Sequence, residues 1–541
     1  MKKLVVLLLS VLMLVSLAAC GGKTDTGTTP TDTGSTTGPK TFTFAVGDSP
    51  SYMDPAVASD SIGSYVINQM FFPLFYLGPD GLTNGACEDY TVSEDGLVYT
   101  LTLRENYWSD GQKVTAEDYV YGPKHALSIG DADASYLSWI TDYVVGAAQY
   151  VYGDAENMPE LGIKALDENT IEYTLVKPVG FFTSLLWGGV YYPLRPDFAP
   201  SGDYTWADTP GYPMNGAFVP TSIDRASTIT YEKNPNWCWA DKVNVDTMTA
   251  KIITDMDAQL MAFKNHEIDF ATSVEAATVS KLPELAENFG ATGVINYFVQ
   301  VNSGETTVKN EVLLNENIRR ALSYAVDRQA ICDARDDGVT RPLYGFVPSG
   351  IVGEEGDFRA VGGNYTKYDP EEAKALLAAE GYDETNPLKL EYYYNQNAAH
   401  DLVAAMLKEQ WSKVNVELTL KTADTRTFFQ DRDDGVYELA RGAMSADYMD
   451  ALTYLDMATS TYQAFPSWGD ATYDQMMAEA ASMSGQERID QLHAAEKYLV
   501  EETAQVIPLF EYGSAYLRGS NVTGDFDNCQ GNSIFWFVDV K

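Results

Sequence analysis

The sequence predicts a mixed α/β protein built from more than one lobe. Three observations carry that expectation. The chain has 541 residues, and one hydrophobic core rarely serves more than roughly 250–300. Its apolar residues alternate in twos over some stretches and recur at three and four over others, the periods of half-buried strands and of amphipathic helices. The two patterns follow one another through the body with no internal repeat, an arrangement that packs as layered α/β lobes.

At the start of the chain, Lys2 and Lys3 precede an apolar run from Leu4 to Leu17. Basic, then apolar, then small is the pattern of a secretory signal. The run falls short of the ~20 apolar residues of a comfortable transmembrane helix. It ends Leu17-Ala18-Ala19-Cys20-Gly21, which resembles the bacterial lipobox, whose cysteine is lipidated and becomes the first mature residue. Residues 21–40 hold eight Thr and five Gly and no large apolar side chain. Such a segment buries too little surface to offset its ordering entropy, and it is expected to be a disordered tether. The expected product is a protein anchored to the outer face of the cell membrane by lipid, with nothing embedded in the bilayer.

In the body, Leu97, Tyr99, Leu101 and Leu103 alternate with Thr100, Thr102 and Arg104, a half-buried strand. Ser93-Glu94-Asp95-Gly96 and Ser109-Asp110-Gly111 are the turns on either side of it. Thr115 followed by Asp118 reads as a helix N-cap pair, with Pro123 expected to interrupt that helix. Ile318, Ala321, Leu322, Ala325 and Val326 make one helical stripe. Asp369-Pro370-Glu371-Glu372 opens another helix that Gly381 closes, and a third runs from about Asn397 to Trp411. A strand is expected from Val414 to Leu420.

Charge and composition exclude several functions. With 36 Lys+Arg against 77 Asp+Glu, the net charge of −41 leaves nothing to neutralise a nucleic-acid backbone or to grip anionic lipid. It describes a solvated acidic surface. Only four histidines occur (His125, His266, His400 and His493), none at metal-ligand spacing from another. No G-x-S-x-G elbow, H-E-x-x-H or P-loop is present, so no enzyme chemistry, metal or cofactor is expected. Cys87, Cys238, Cys332 and Cys529 are scattered, and pairing and free buried thiols both remain open for them.

A family resemblance rests on longer blocks. They are Ser93-Glu94-Asp95-Gly96-Leu97-Val98-Tyr99-Thr100-Leu101-Thr102-Leu103-Arg104, then Trp108-Ser109-Asp110-Gly111 and Thr115-Ala116-Glu117-Asp118. Asn215-Gly216-Ala217-Phe218, Lys233-Asn234-Pro235-Asn236-Trp237 and Glu267-Ile268-Asp269 follow in order. The helix Ile318-Arg319-Arg320-Ala321-Leu322-Ser323-Tyr324-Ala325-Val326-Asp327-Arg328 comes next, and Ala446-Asp447-Tyr448 and Ile507-Pro508-Leu509 complete the set. Together they resemble the solute-binding proteins of ABC importers in the peptide/nickel group (family 5), most closely its oligopeptide binders. The chain departs from that pattern at Pro123, at His266 in place of Gly, and at Ala451 in place of Pro.

The resemblance implies a periplasmic-binding-protein-like α/β fold: two hinged lobes that close on a ligand, with an additional third domain. Lobe I would be 41–72, 205–295 and 510–541; the extra domain 73–204; lobe II 296–509. It also implies a monomer that captures oligopeptides and passes them to the permease subunits of an ABC transporter with its ATPase. Within the same fold, binders of dipeptides, nickel chelates or oligosaccharides are the alternatives; from another class, a surface-anchored hydrolase using paired carboxylates. For site residues, the resemblance implies that Asp447 pairs with a peptide ammonium. It implies that Arg441 reaches a carboxylate, that Asn395 and His400 face the C-terminal side of the ligand, and that Tyr512 lines the cleft. Met444 and Thr425 stand where aromatic residues flank peptides in the oligopeptide binders.

Overall fold

The computed structural model describes residues 38–541 except 59, 79–80, 131–135, 154–159, 305, 463–467 and 525–533. Cys20, the signal segment, the tether up to residue 37 and Cys529 lie outside the described residues. Lys40 is already tied down: its backbone N–H donates to Asp246 at 2.8 Å and its ammonium to Asp539 at 2.5 Å.

Along the chain, β1 (Thr41–Val46) and α1 (Ser61–Ile67) come first. A separate four-stranded antiparallel sheet follows, from β2 (Cys87–Val92), β3 (Val98–Leu103), β4 (Ile163–Asp167) and β5 (Thr170–Thr174), in the order β2-β3-β5-β4. The alternation legible at Leu97–Arg104 is realised: Tyr99, Leu101 and Leu103 are buried, while Thr102 faces out. The helix α2 (Ala116–Ile129) packs on this sheet behind a Thr115–Asp118 capping box. Contrary to expectation, α2 runs straight through Pro123. The missing donor is tolerated because the helix is clamped from outside. Leu194 N–H donates to the Asp118 carbonyl at 3.1 Å, and Gly122 lies so close to the Tyr192 carbonyl that a Cβ would stand 1.8 Å from it.

The large sheet has eleven strands among the described residues. It is completed by β6 (Phe218–Asp224), β7 (Thr228–Lys233), β8 (Thr247–Ile252), β9 (Phe270–Ala271), β10 (Phe289–Val301), β11 (Leu388–Asn395), β12 (Val416–Ala423), β13 (Leu439–Ser445) and β14 (Val506–Arg518). Its main path reads β12-β11-β13-β10-β14-β9-β1-β8-β7-β6, and the eleventh strand, the short Arg341–Pro342, pairs with β14 off this path. The strand expected at Val414–Leu420 begins two residues later, because Val414 and Asn415 form a turn in which Asn415 takes φ +67°.

Two 13-residue strands, β10 and β14, are shared between different cores. Phe510 of β14 packs with Val299, Leu322 and Leu407, whereas Ala515 and Leu517 pack with Ala45 and Ala271. The pairing of β10 with β14 loses register between Thr292 and Ile295.

The predicted helical stripe is fully buried: Ile318, Ala321, Leu322, Ala325 and Val326 are each 0–1% exposed, although the helix itself (α3, Glu316–Tyr324) ends before the last two. The arginines of this block are structural. Arg319 donates to the carbonyls of Thr503, Leu313 and Leu314. Arg328 is fully buried; its Nε donates to the Pro508 carbonyl at 2.7 Å, which explains why the Ile507-Pro508-Leu509 step accompanies the helix. Next come α4 (Arg328–Arg335), α5 (Pro370–Ala379) and α6 (Ala398–Ser412). Asp369 caps α5 by accepting from Glu372 N–H, and Gly381 ends it at φ +91°, a left-handed conformation that favours glycine. Further along the chain lies α7 (Gly485–Lys497).

Candidate functional site

Strand β13 pairs antiparallel with β10 along its whole length, from Leu439↔Val301 to Ser445↔Ile295. On its other side it meets β11 in parallel at two positions only, Tyr392↔Leu439 and Tyr393↔Ala440. Beyond these the two carboxyl ends diverge. From Arg441 to Ser445 that edge has no strand beside it among the described residues. A gap at the carboxyl ends of parallel strands is the ordinary ligand site of open α/β sheets. Its unpaired backbone groups can pair with an extended chain.

Asp447 lies two residues past the end of β13. It lines a cavity of about 230 Å³ together with Ser61, Tyr136, Trp139, Trp187 and Tyr192. These residues come from segments up to 386 positions away, which is why no local pattern announces them. The one local trace is Trp187-Gly188-Gly189: a Cβ on Gly188 would stand 2.4 Å from the Trp139 ring. The Asp447 backbone N–H donates to Thr453 Oγ1 at 3.0 Å. Burial pushes its carboxyl above the usual range, and no basic side chain offsets that cost among the described residues.

Arg441, His400 and Tyr512 come together in a second neighbourhood, around Tyr297. The Arg441 guanidinium stands 5.5 Å from the centre of the Tyr297 ring. Its Nε is buried without a hydrogen-bond partner, and it forms no ion pair among the described residues. His400 is 9% exposed in the first turn of α6, where its backbone N–H donates to the capping Asn397 at 2.9 Å. Burial, reinforced by Arg441 and Arg335, lowers its imidazole to about 4, so it is neutral at pH 7. Tyr512 sits opposite Ile295 on β14, and Arg335 stands 5.7 Å from its ring. Burial raises the Tyr512 phenol, with Arg441 and Arg335 opposing. Arg335 and Tyr297 carried no sequence signal of their own.

Asn395 is buried at the end of β11, beside the gap. Its amide donates to Thr425 Oγ1 at 3.4 Å, and its Oδ1 is buried without a partner. Asp447 is not part of the Arg441 cluster. Six residues of extended chain separate the two, at most roughly 20 Å at about 3.3 Å per residue. The site therefore presents an uncompensated carboxylate at one end of an open strand edge and, toward the other, a guanidinium with no carboxylate partner among the described residues. Among the described residues no group of three or more His, Cys, Asp or Glu could hold a metal ion, and no helix is long and apolar enough to cross a membrane. Cys87, Cys238 and Cys332 are free thiols.

The model of the bacterial extracellular solute-binding proteins, family 5, matches residues 81–466. The chain belongs to this family. It is 26% identical over 520 residues to the dipeptide-binding protein DppE of Bacillus subtilis, covering 94% of this chain and 93% of that one. Among solved structures, the oligopeptide-binding protein OppA of Listeria monocytogenes bound to peptide is 25% identical, with a TM-score of 0.67 over 93% of this chain and 100% of that one. The murein tripeptide binding protein MppA, in an unliganded open form, is 23% identical and shares the fold, with a TM-score of 0.80 over 93% of this chain and 97% of that one. The family-5 chain thus has the periplasmic-binding-protein-like α/β fold expected of it.

Proposed function

We propose that this family-5 protein is the extracytoplasmic receptor of an ABC importer, anchored by lipid at Cys20, which captures oligopeptides and delivers them to the permease and its ATPase. The observation that carries this reading is the open edge of β13, with the half-buried carboxylate of Asp447 just past one end and Arg441 near the other. Every linear peptide offers a terminal ammonium, a terminal carboxylate and a backbone that pairs as a strand, and it needs no side-chain recognition to be held by all three. In this reading Asp447 takes the ammonium. Arg441 takes the carboxylate of short peptides, with neutral His400, Asn395 and Tyr512 shaping that end. The relatives named for dipeptide and oligopeptide binding support the same class of ligand.

The lobes proposed are 41–72 with 205–295 and 510–541, and 296–509, with 73–204 as the extra domain. Their hinge would be β10 and β14, whose ends pack in different cores and whose pairing slips between Thr292 and Ile295. The protein is read as a monomer that performs no chemistry on its ligand. Sugars and other neutral solutes fit less well, since they would shield the half-buried Asp447 and Arg441 further from water without supplying a counter-charge. Native mass spectrometry of the purified protein tests the proposal. Retained masses that fragment as peptides are expected; a retained sugar, or release of altered products from peptide on incubation, would overturn it.

A further inference from the structure

Resting on the reading of Asp447 as the ammonium site, we infer that Arg488, which does not line the Asp447 cavity, is the positioning residue that holds Asp447 toward it.

A half-buried carboxylate with no counter-charge is under pressure to leave. Burial disfavours its charged form, and a free loop would relieve that cost by swinging the group into water. Keeping the carboxylate in the cavity wall therefore needs a restraint on the loop that carries Asp447. The structure has one within three residues. Both oxygens of Asp450 accept hydrogen bonds from Arg488, from Nη1 and from Nη2, each at 2.7 Å. This is the fork-to-carboxylate geometry that fixes orientation as well as distance. Arg488 is 5% exposed and sits on α7, so the anchor is itself immobile.

The same guanidinium lies 5.6 Å from the centre of the Phe181 ring. Phe181 in turn stacks on Tyr448, the neighbour of Asp447, at 4.9 Å and 10° between planes. Trp139, a wall of the cavity, meets Tyr448 edge-on at 6.3 Å. One cation thus ties together the loop of Asp447, helix α7 and the 180–181 segment. The depression that Arg488 does line, with Gly180, Asp450 and Ser484, is a different one from the cavity of Asp447. It acts through the loop, by preorganising the carboxylate.

The test compares the affinities of trialanine and N-acetyl-trialanine by titration calorimetry. Two proteins are compared with the wild type: Arg488→Lys, which keeps the charge and loses the fork, and Arg488→Met combined with Asp450→Leu, which strands no buried charge. The readout is the preference for the free amino terminus. It is expected to fall about tenfold or more in the double variant and by less in Arg488→Lys, while the affinity for the acetylated peptide stays within about twofold. A folded double variant with the full wild-type preference would overturn the inference, as would equal losses for both peptides, which mark general support of the lobe. Should the double variant not fold, an unchanged preference in Arg488→Lys overturns it in the same way. A wild type without any preference for free trialanine overturns the ammonium reading itself, a result distinct from the others.

Discussion

The hydroxyl of Tyr297 and Nδ1 of His400 stand 3.1 Å apart, in an aromatic cluster that also receives the guanidinium of Arg441. The contact joins the centre of β10 to the first turn of α6. It explains why the imidazole is buried, and why burial and two arginines keep it neutral.

This has a consequence for acid stability. With the folded-state value lowered to about 4 from an ordinary 6.5, the unfolded chain takes up this proton first as pH falls. His400 therefore lowers stability progressively between about pH 6.5 and 4 and has no such effect above pH 7. Replacing it with Gln should reduce the loss of stability between pH 7 and 4.5 by on the order of 1–2 kcal/mol, after allowance for solvent screening. Urea titrations of both proteins at the two pH values check this; parallel losses would show that His400 titrates normally.

Asp447→Ala should cost about 3–5 kcal/mol of peptide binding, or two to four decades in affinity, because it strands a buried ammonium. Folding should survive, since the carboxylate has no basic partner in the fold. Acetylating the peptide should weaken wild-type binding comparably and binding to Asp447→Ala much less, the two losses sharing one interaction. Calorimetry on the four combinations decides it.

Ligand should bring the two cores together by rotation about β10 and β14. Small-angle scattering with saturating peptide should give a smaller radius of gyration than the ligand-free protein. An unchanged radius would count against a hinged trap.

Replacing Cys20 with Ser should release the protein into the medium or leave it as an unprocessed precursor. Cell fractionation reads the outcome, and normal processing with retention at the membrane would remove the lipid anchor from the proposal.

How much of this was legible varies with the range of the interactions. The strand at Leu97–Arg104, the capping pair Thr115–Asp118 and the stripe Ile318–Val326 were all readable, because period and capping are properties of neighbouring residues. Pro123 was misread for the same reason. Its local rule is sound, but the helix is held by Leu194 and Tyr192, some seventy residues away, and no local rule contains them.

The sequence by itself determined the period of each element, the acidic surface and the family, since these are written in composition and in contiguous blocks. It also singled out Asp447, Arg441, His400, Asn395 and Tyr512, but only as positions within those blocks. Tertiary structure alone decided that Arg441, His400 and Tyr512 share one cluster while Asp447 faces a separate cavity with Tyr136, Trp139 and Trp187. It alone decided that β11 and β13 part after two pairs, leaving an edge open. The physical reason is that desolvation and counter-charge depend on which distant side chains surround a group, and burial of that kind exists only once the chain has folded.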